Sequence, residues 1–250
     1  MSIIYFDCFS GISGDMIIGS LLDAGLPFVD LEHELSKLKL ANFNIKHEFV
    51  IKKGIAATKF SVETDENHPH RSLGDIRKII EESGLEEIVK ESALKIFTRL
   101  AKAESRIHGV DPENIHFHEV GAVDAIIDIV GAVVGFHKMN ISKVYASALN
   151  IGGGWTKCVH GTIPVPAPAT LELLRGVPIY NSGVNMELVT PTGAAIITSL
   201  CEDFGYLPAI TPKKIGYGAG TADLHIPNVL RVILGDTNNQ EAKHNKHHNH

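Results

Sequence analysis

The densest set of metal-binding and acid–base side chains lies between residues 116 and 128, in the run HFHEVGAVDAIID. It contains His116, His118, Glu119, Asp124 and Asp128. In an extended stretch, residues two apart share a face, so His116 and His118 point the same way. In a helix, residues four apart share a face, which stacks Asp124 on Asp128. Like charges at that spacing cost roughly 0.2–0.5 kcal/mol in water and more once desolvated. A bound cation or a cationic partner removes that cost, and imidazole with carboxylate suits nickel, zinc or manganese. The competing reading leaves the aspartates in water or capping helices and makes the histidines ordinary. Five donors in one short segment favour the metal. Gly121, Gly131 and Gly135 fall near the acidic face, where another backbone could approach closely.

A second constellation follows the first apolar run. Asp7 stands near a strand end, and Ser10-Gly11-Ile12-Ser13-Gly14 leads to Asp15 at a helix start. Free N–H groups and the positive end of a helix dipole could receive a mononucleotide phosphate at Ser10, Gly11, Ser13 and Gly14. Asp7 or Asp15, the candidate catalytic carboxylates, would hold a divalent ion beside it. Equally, Asp15 could complement its own helix dipole while the glycines make a tight turn, because no P-loop lysine follows. Cys158 and His160 form a Cys-x-His pair beside a glycine loop and are candidate metal ligands, with a buried free cysteine as the plainer reading. His68 and His70 alternate in a polar loop; His70 is the candidate ligand and His68 reads as solvent-facing. Thr190 to Ala195 reads as a helix opening in preference to a phosphate contact. Trp155 reads as a partly buried anchor, with stacking on a cationic ring as the alternative. The final HNKHHNH offers His244, His247, His248 and His250 as a metal-trapping tail, against an appended tag or an inert one.

These residues need elements to position them. Ser2 to Phe9 reads as a buried strand and Asp15 to Ala24 as a helix stopped by Gly25 and Pro27. Val29 to Lys39 continues as a short helix. Phe43 to Val50 and Thr58 to Glu63 read as paired strands around Lys52-Lys53-Gly54. Helices are expected over Leu73 to Ser83, Leu85 to His108 and about Gly121 to Met139. Val144 to Ile151 reads as a strand, and alternating prolines at 164, 166 and 168 defer the next helix to about Ala169. A helix opens at Pro191 and runs to about Glu202, and Asn228 to Leu234 is a last strand. With no regular βαβ rhythm, the expected class is α/β, a mixed sheet flanked by helices. One domain would span 1–234, with a disordered His-rich tail over 235–250.

Bulk properties set limits on partners. The 250 residues are 44% hydrophobic and 21% charged, enough to bury a core. A net charge of −6 gives no global attraction to nucleic acid or anionic membrane. No apolar run reaches the ~18 residues of a membrane span. The start, Met1 to Gly11, has no basic n-region and Asp7 interrupts its apolar run, which argues against a secretory signal. Cys8, Cys158 and Cys201 are odd in number and far apart, which fits a reducing cytoplasm better than a disulfide framework. Homo-oligomerisation is left open.

HFHEVGAVDAIIDIVG (His116 to Gly131) resembles the most characteristic segment of the LarC family. FDCFSGISGDM (Phe6 to Met16), HRSLGDI (His70 to Ile76), HGTIPVPAPAT (His160 to Thr170) and TPTGAA (Thr190 to Ala195) resemble its other blocks, in the same order. The resemblance covers nearly the whole chain apart from the tail. It implies nickel insertion into pyridinium-3,5-bisthiocarboxylic acid mononucleotide, dependent on CTP with magnesium or manganese. The implied product is the nickel-pincer cofactor of lactate racemase. Implied partners are the pincer precursor, the lactate racemase apoprotein and the sulfur-insertion enzyme of the same pathway. The family continues into a further C-terminal domain with which CTP binding is associated, so this chain would be the N-terminal domain. On that reading residues 116–128 hold nickel or a divalent activator, and a nearby carboxylate or histidine takes the proton released on metal–carbon bond formation. The alternative is a non-catalytic nickel chaperone or storage module dominated by the tail. A divalent-metal hydrolase is disfavoured, because no hydrolase motif such as HExxH is present.

Overall fold

The apolar run at the start of the chain forms β1 (Ser2–Asp7), whose four central residues are all buried. Such a run suits a strand covered on both faces, and β1 lies inside a seven-stranded sheet. The computed structural model describes residues 2–40, 43–64, 71–117, 121–158 and 161–237. After β1 come α1 (Gly14–Asp23), α2 (Phe28–Ser36) and the hairpin β2 (Phe43–Lys52) and β3 (Ile55–Thr64). Then follow β4 (Arg71–Ser72), α3 (Leu73–Glu81), α4 (Glu87–His108), β5 (His116–Phe117) and α5 (Val123–Lys138). The next segment holds β6 (Lys143–Ala146), β7 (Leu149–Asn150), β8 (Trp155–Cys158), β9 (Gly161–Pro164), α6 (Pro168–Leu173) and β10 (Ile179–Tyr180). Last come α7 (Pro191–Leu200), β11 (Cys201–Phe204), β12 (Ile210–Ala219) and β13 (Val229–Thr237).

The large sheet has the order β11-β6-β1-β13-β12-β3-β2. β6 is parallel to β1 and to β11, whereas β13 is antiparallel to β1 and to β12. The class is therefore α/β with a mixed sheet flanked by helices, as the sequence implied. Helices α5 and α7 each return the chain to a strand parallel to β1, the usual way of making parallel neighbours. α1 lies close on β12: a Cβ on Gly218 would sit 1.9 Å from the Met16 carbonyl oxygen. Only glycine permits that approach. The main core joins β1, α1, α2, α3, α4, α5 and α7, with Phe6, Ile17, Ile18, Phe97, Ile126 and Ile197 essentially inaccessible.

Several boundaries and elements differ from expectation. The strand expected over 144–151 is two short ones, β6 and β7, in different sheets. The helix opened by Pro191 stops at Leu200, and the next residues turn into β11. The last strand continues to Thr237, beyond the expected end at Leu234, with Asp236 opposite Ser2. Over Gly131 and Gly135 lie the side-chain tips of Ile18 and Leu21, where the sequence suggested a neighbouring backbone. Trp155 is 72% exposed on β8, so it is no buried anchor. No described helix is long and apolar enough to cross a membrane.

Candidate carboxylate site where α1, α5 and α7 meet

The first turns of α1 and α7 meet beyond the C-terminal end of β1, and the second turn of α5 packs against them. Ser13 is the extended N-cap of α1, and a Cβ on Gly14 would lie 2.5 Å from both Cβ and Oδ2 of Asp128 in α5. A Cβ on Gly193 in α7 would lie 2.4 Å from the Ile12 carbonyl oxygen. The connecting backbone is fixed by Ile12 N–H donating to the Leu188 carbonyl at 2.9 Å and Thr190 N–H donating to Ile12 at 3.1 Å. Thr190 caps α7 by accepting the Gly193 N–H at 3.1 Å, as expected of a helix opening. Two positive dipole ends therefore converge, those of α1 and α7, which favours negative charge there.

Three aspartates supply that charge. Asp15 Oδ1 accepts the Met16 N–H at 2.9 Å and the Ser13 hydroxyl hydrogen, while Oδ2 pairs with Lys59 of β3. Lys59 Nζ also donates to Thr221 Oγ1 at 2.8 Å. Asp124 is exposed and accepts its neighbour Ala125 N–H at 2.9 Å. Asp128, one turn deeper, is half-buried as a residue, yet its Oδ1 is closed from solvent and lacks a hydrogen-bond partner. Burial raises its pKa well above the usual carboxylate value, and the charges of Asp15 and Asp124 raise it further. Lys59 and the Asp15 amide oppose that shift without cancelling it. The site holds more carboxylate than its resident cation neutralises.

The other expected residues are distributed as follows. Asp7 closes β1 and is engaged by Arg231 of β13, with Nε 3.1 Å from Oδ2. Hydrogen bonding to Asp7 raises the Arg231 pKa, and the guanidinium lies 5.9 Å from the Phe9 ring centre. Ser10 and Gly11 are buried, and Ser10 Oγ has no partner among the described groups. Of the loop, Ser13 is the more accessible. Cys8 is wholly buried, and burial pushes its thiol far up. Burial likewise pushes the Cys201 thiol up to about 12. Cys158 ends β8, half-buried and free. His116 lies in β5, paired with Ser72 of β4. Its side chain lies outside the described residues, as do His118, Glu119, His70, His68, His160 and the tail histidines His244, His247, His248 and His250.

Among the described residues, no three His, Cys, Asp or Glu side chains are arranged to enclose a metal ion. Asp15, Asp124 and Asp128 share one electrostatic environment without forming a closed ligand cage. Sequence reasoning found Asp124 and Asp128 through their helical spacing, and Asp15 through its loop. Lys59 and Thr221 carried no local signal, because only the fold brings them beside Asp15.

A family described as "Nickel insertion protein" matches residues 4–249. The chain is 56% identical over 236 residues to the pyridinium-3,5-bisthiocarboxylic acid mononucleotide nickel insertion protein of Desulfitobacterium hafniense (strain DSM 10664 / DCB-2). That alignment covers 94% of this chain and 59% of the relative. It is 48% identical over 247 residues to the protein of the same name from Geobacillus kaustophilus, covering 94% of this chain and 60% of the relative. The chain thus spans about three-fifths of the length of these relatives. No solved structure matches it.

Proposed function

Because this chain belongs to the nickel insertion protein family, we propose that it takes part in inserting nickel into pyridinium-3,5-bisthiocarboxylic acid mononucleotide, with the carboxylates of α1 and α5 receiving the metal. The observation that carries the assignment is Asp128. Its covered oxygen lacks a partner beside two further carboxylates, an arrangement that a divalent cation would relieve. His116, His118 and Glu119 lie just before α5 in sequence and complete the proposed donor set with Asp124 and Asp128. Cys158, His160 and His70 are proposed as transient donors, and the tail histidines as a capture arm.

Nickel is the cargo here, so the site must release it. Carboxylate and imidazole hold a borderline cation less tenaciously than thiolate does, and the sulfur atoms of the pincer precursor can draw it away by ligand exchange. A carboxylate vacated in that exchange can accept the proton released as the metal–carbon bond forms. The phosphate of the precursor belongs near Ser13 and Gly14, where the N-termini of α1 and α7 meet. Because Asp15 already occupies one of those termini, a divalent ion must mediate between it and the phosphate. Asp7, tied to Arg231, would then act by fixing the end of β1. We propose further that the reaction depends on CTP with magnesium or manganese and on a C-terminal domain that holds the nucleotide. It would follow the sulfur-insertion enzyme and serve lactate racemase in the cytoplasm.

Equilibrium dialysis with nickel tests the site directly. The Asp128→Asn and His116→Ala proteins are expected to lose at least one bound nickel per chain relative to the parent. Pincer cofactor formation, with the C-terminal part supplied separately, should fall with them. Unchanged stoichiometry and product formation in both variants would remove the assignment. Deleting Asn238–His250, which leaves β13 intact, separates this reading from a storage module. Loss of cofactor formation with the tail alone would favour storage and delivery.

A further inference from the structure

β2 is the outer strand of the large sheet and is bonded to β3 along its whole length, from Phe43 opposite Thr64 to Lys52 opposite Ile55. No strand covers its other edge among the described residues. Exposed edges are ordinarily protected by proline, a bulge, a covering loop or charges of one sign, whereas β2 carries both signs, Lys46 beside Glu48 on one face. β2 contains no proline, and its register with β3 runs without a shift. Instead it exposes Phe49 at 70% and Ile51 at 67%, on the face that also carries Ile45 and His47. The Phe28 ring of α2 packs on His47 at 4.3 Å between ring centres, and its neighbour Val29 is 71% exposed.

We infer that β2 pairs antiparallel with β2 of a second copy of this chain, with the two-fold axis passing through His47. The strand is self-complementary about that residue. Ile45 then faces Phe49 of the partner copy and Phe43 faces Ile51, which puts apolar groups together on the helix-bearing face. On the opposite face Lys46 meets Glu48, twice by symmetry, and Asn44 meets Val50. Cross-strand pairs of these kinds are what stabilise an antiparallel ladder. An axis through Val50 also pairs Glu48 with Lys52 and Phe49 with Ile51, but it engages only the last half of β2, and several other registers fail on charge or on facing. An axis through Lys46 or Glu48 sets that residue against its own copy, and an axis through Phe49 sets Lys46 against Lys52. An axis between two residues places the apolar face of one strand beside the charged face of the other. The arrangement is isologous and closes at two copies, so it leaves no free edge at β2. It does not depend on what the molecule binds.

Sedimentation velocity over a concentration series of the 250-residue chain reads the association. The parent should pass from monomer to dimer. Glu48→Lys alone and Lys46→Glu alone should each weaken the dimer about tenfold or more, since two attractive pairs become repulsive. An equimolar mixture of the two variants should recover it as a heterodimer, because each copy then faces opposite charges. Circular dichroism establishes that both variants are folded. Register is read by His47→Cys: directly opposed residues place their Cα atoms ~4.5–5.5 Å apart, within disulfide range. Oxidation should give a covalent dimer that disappears when Glu48→Lys is added. A parent that stays monomeric throughout overturns the inference. So does a dimer indifferent to both charge reversals, or one that His47→Cys fails to trap.

Discussion

At Asp128, burial and the charges of Asp15 and Asp124 act in one direction, holding the carboxyl protonated above the ordinary carboxylate range. An unfolded chain gives up that proton near pH ~3.9. The folded protein does so only at higher pH, so the stability this group contributes is complete below ~3.9 and is lost as pH rises through the folded value. Asparagine imitates the protonated form. Without divalent metal, Asp128→Asn should therefore raise the melting temperature at pH 7, and the gain should shrink as the pH is lowered towards 4. The gain should amount to about 1.4 kcal/mol for each pH unit by which the folded value is displaced. Nickel should reverse the order, stabilising the parent and leaving the variant unmoved. A variant that melts below the parent in metal-free buffer at pH 7 would show that the fold favours the Asp128 carboxylate even without a cation. Gly14→Ala tests the same contact sterically: its methyl would lie 2.5 Å from Asp128. It should lower unfolding stability by about 1–3 kcal/mol in urea titration. Legibility at this scale followed distance along the chain. The spacing of Asp124 and Asp128 was readable, whereas Lys59 enters the site through a salt bridge to a residue 44 positions away.

Between elements, a buried carboxylate links α2 to α5. Glu34 is 4% exposed and takes Lys37 from its own turn and Lys138 from the end of α5, each at 2.8 Å. Burial pushes the Glu34 carboxyl up, but its bonds to Lys138 and Lys37 outweigh that and leave it below the usual value. Stability from such a group is present above the unfolded pKa and is lost as pH falls through the folded one. Lys138→Met should accordingly cost about 1–2 kcal/mol at pH 7 and progressively less as Glu34 is protonated, measured by denaturant titration across pH. An equal cost at every pH would assign the loss to packing. The elements that were legible share simple patterns: the unbroken apolar run of β1, the helical spacing of α5, the Lys53-Gly54 turn between β2 and β3. β12 was hidden because Pro212, Lys213 and Lys214 break its alternation, and because Gly216 and Gly218 serve α1 rather than the strand face. β11 was absorbed into the preceding helix, since its role is set by parallel pairing with β6, which leaves no local trace.

In the whole molecule the first strand pairs with the last: β1 meets β13 over six residues, and Asp7 reaches Arg231 across a separation of 224. The middle of the sheet consequently rests on contacts between the two ends of the described residues. Asp7→Asn keeps the shape but removes the charge facing Arg231, and should lower stability by about 1–3 kcal/mol while sparing nickel stoichiometry. A loss of bound nickel with stability intact would place Asp7 among the metal ligands instead. The mixed α/β class could be read from strands and helices that follow one another without a regular βαβ rhythm, but the neighbours of each strand could not. Register and order come from closure of the sheet, a property of no single segment.

That closure has a consequence during synthesis. Translation at ~5–20 residues per second takes roughly 12–46 s to pass from β1 to β13. Throughout that interval the nascent chain carries an apolar strand with one flank unpaired, because the segment that will cover it has not left the ribosome. β6 can seat against β1 earlier, but the sheet has no completed interior until residue 237 is delivered. Chaperone dependence in the cell should therefore track the time β1 waits, so that slow codons ahead of β13 lower the yield of folded protein without altering a single residue.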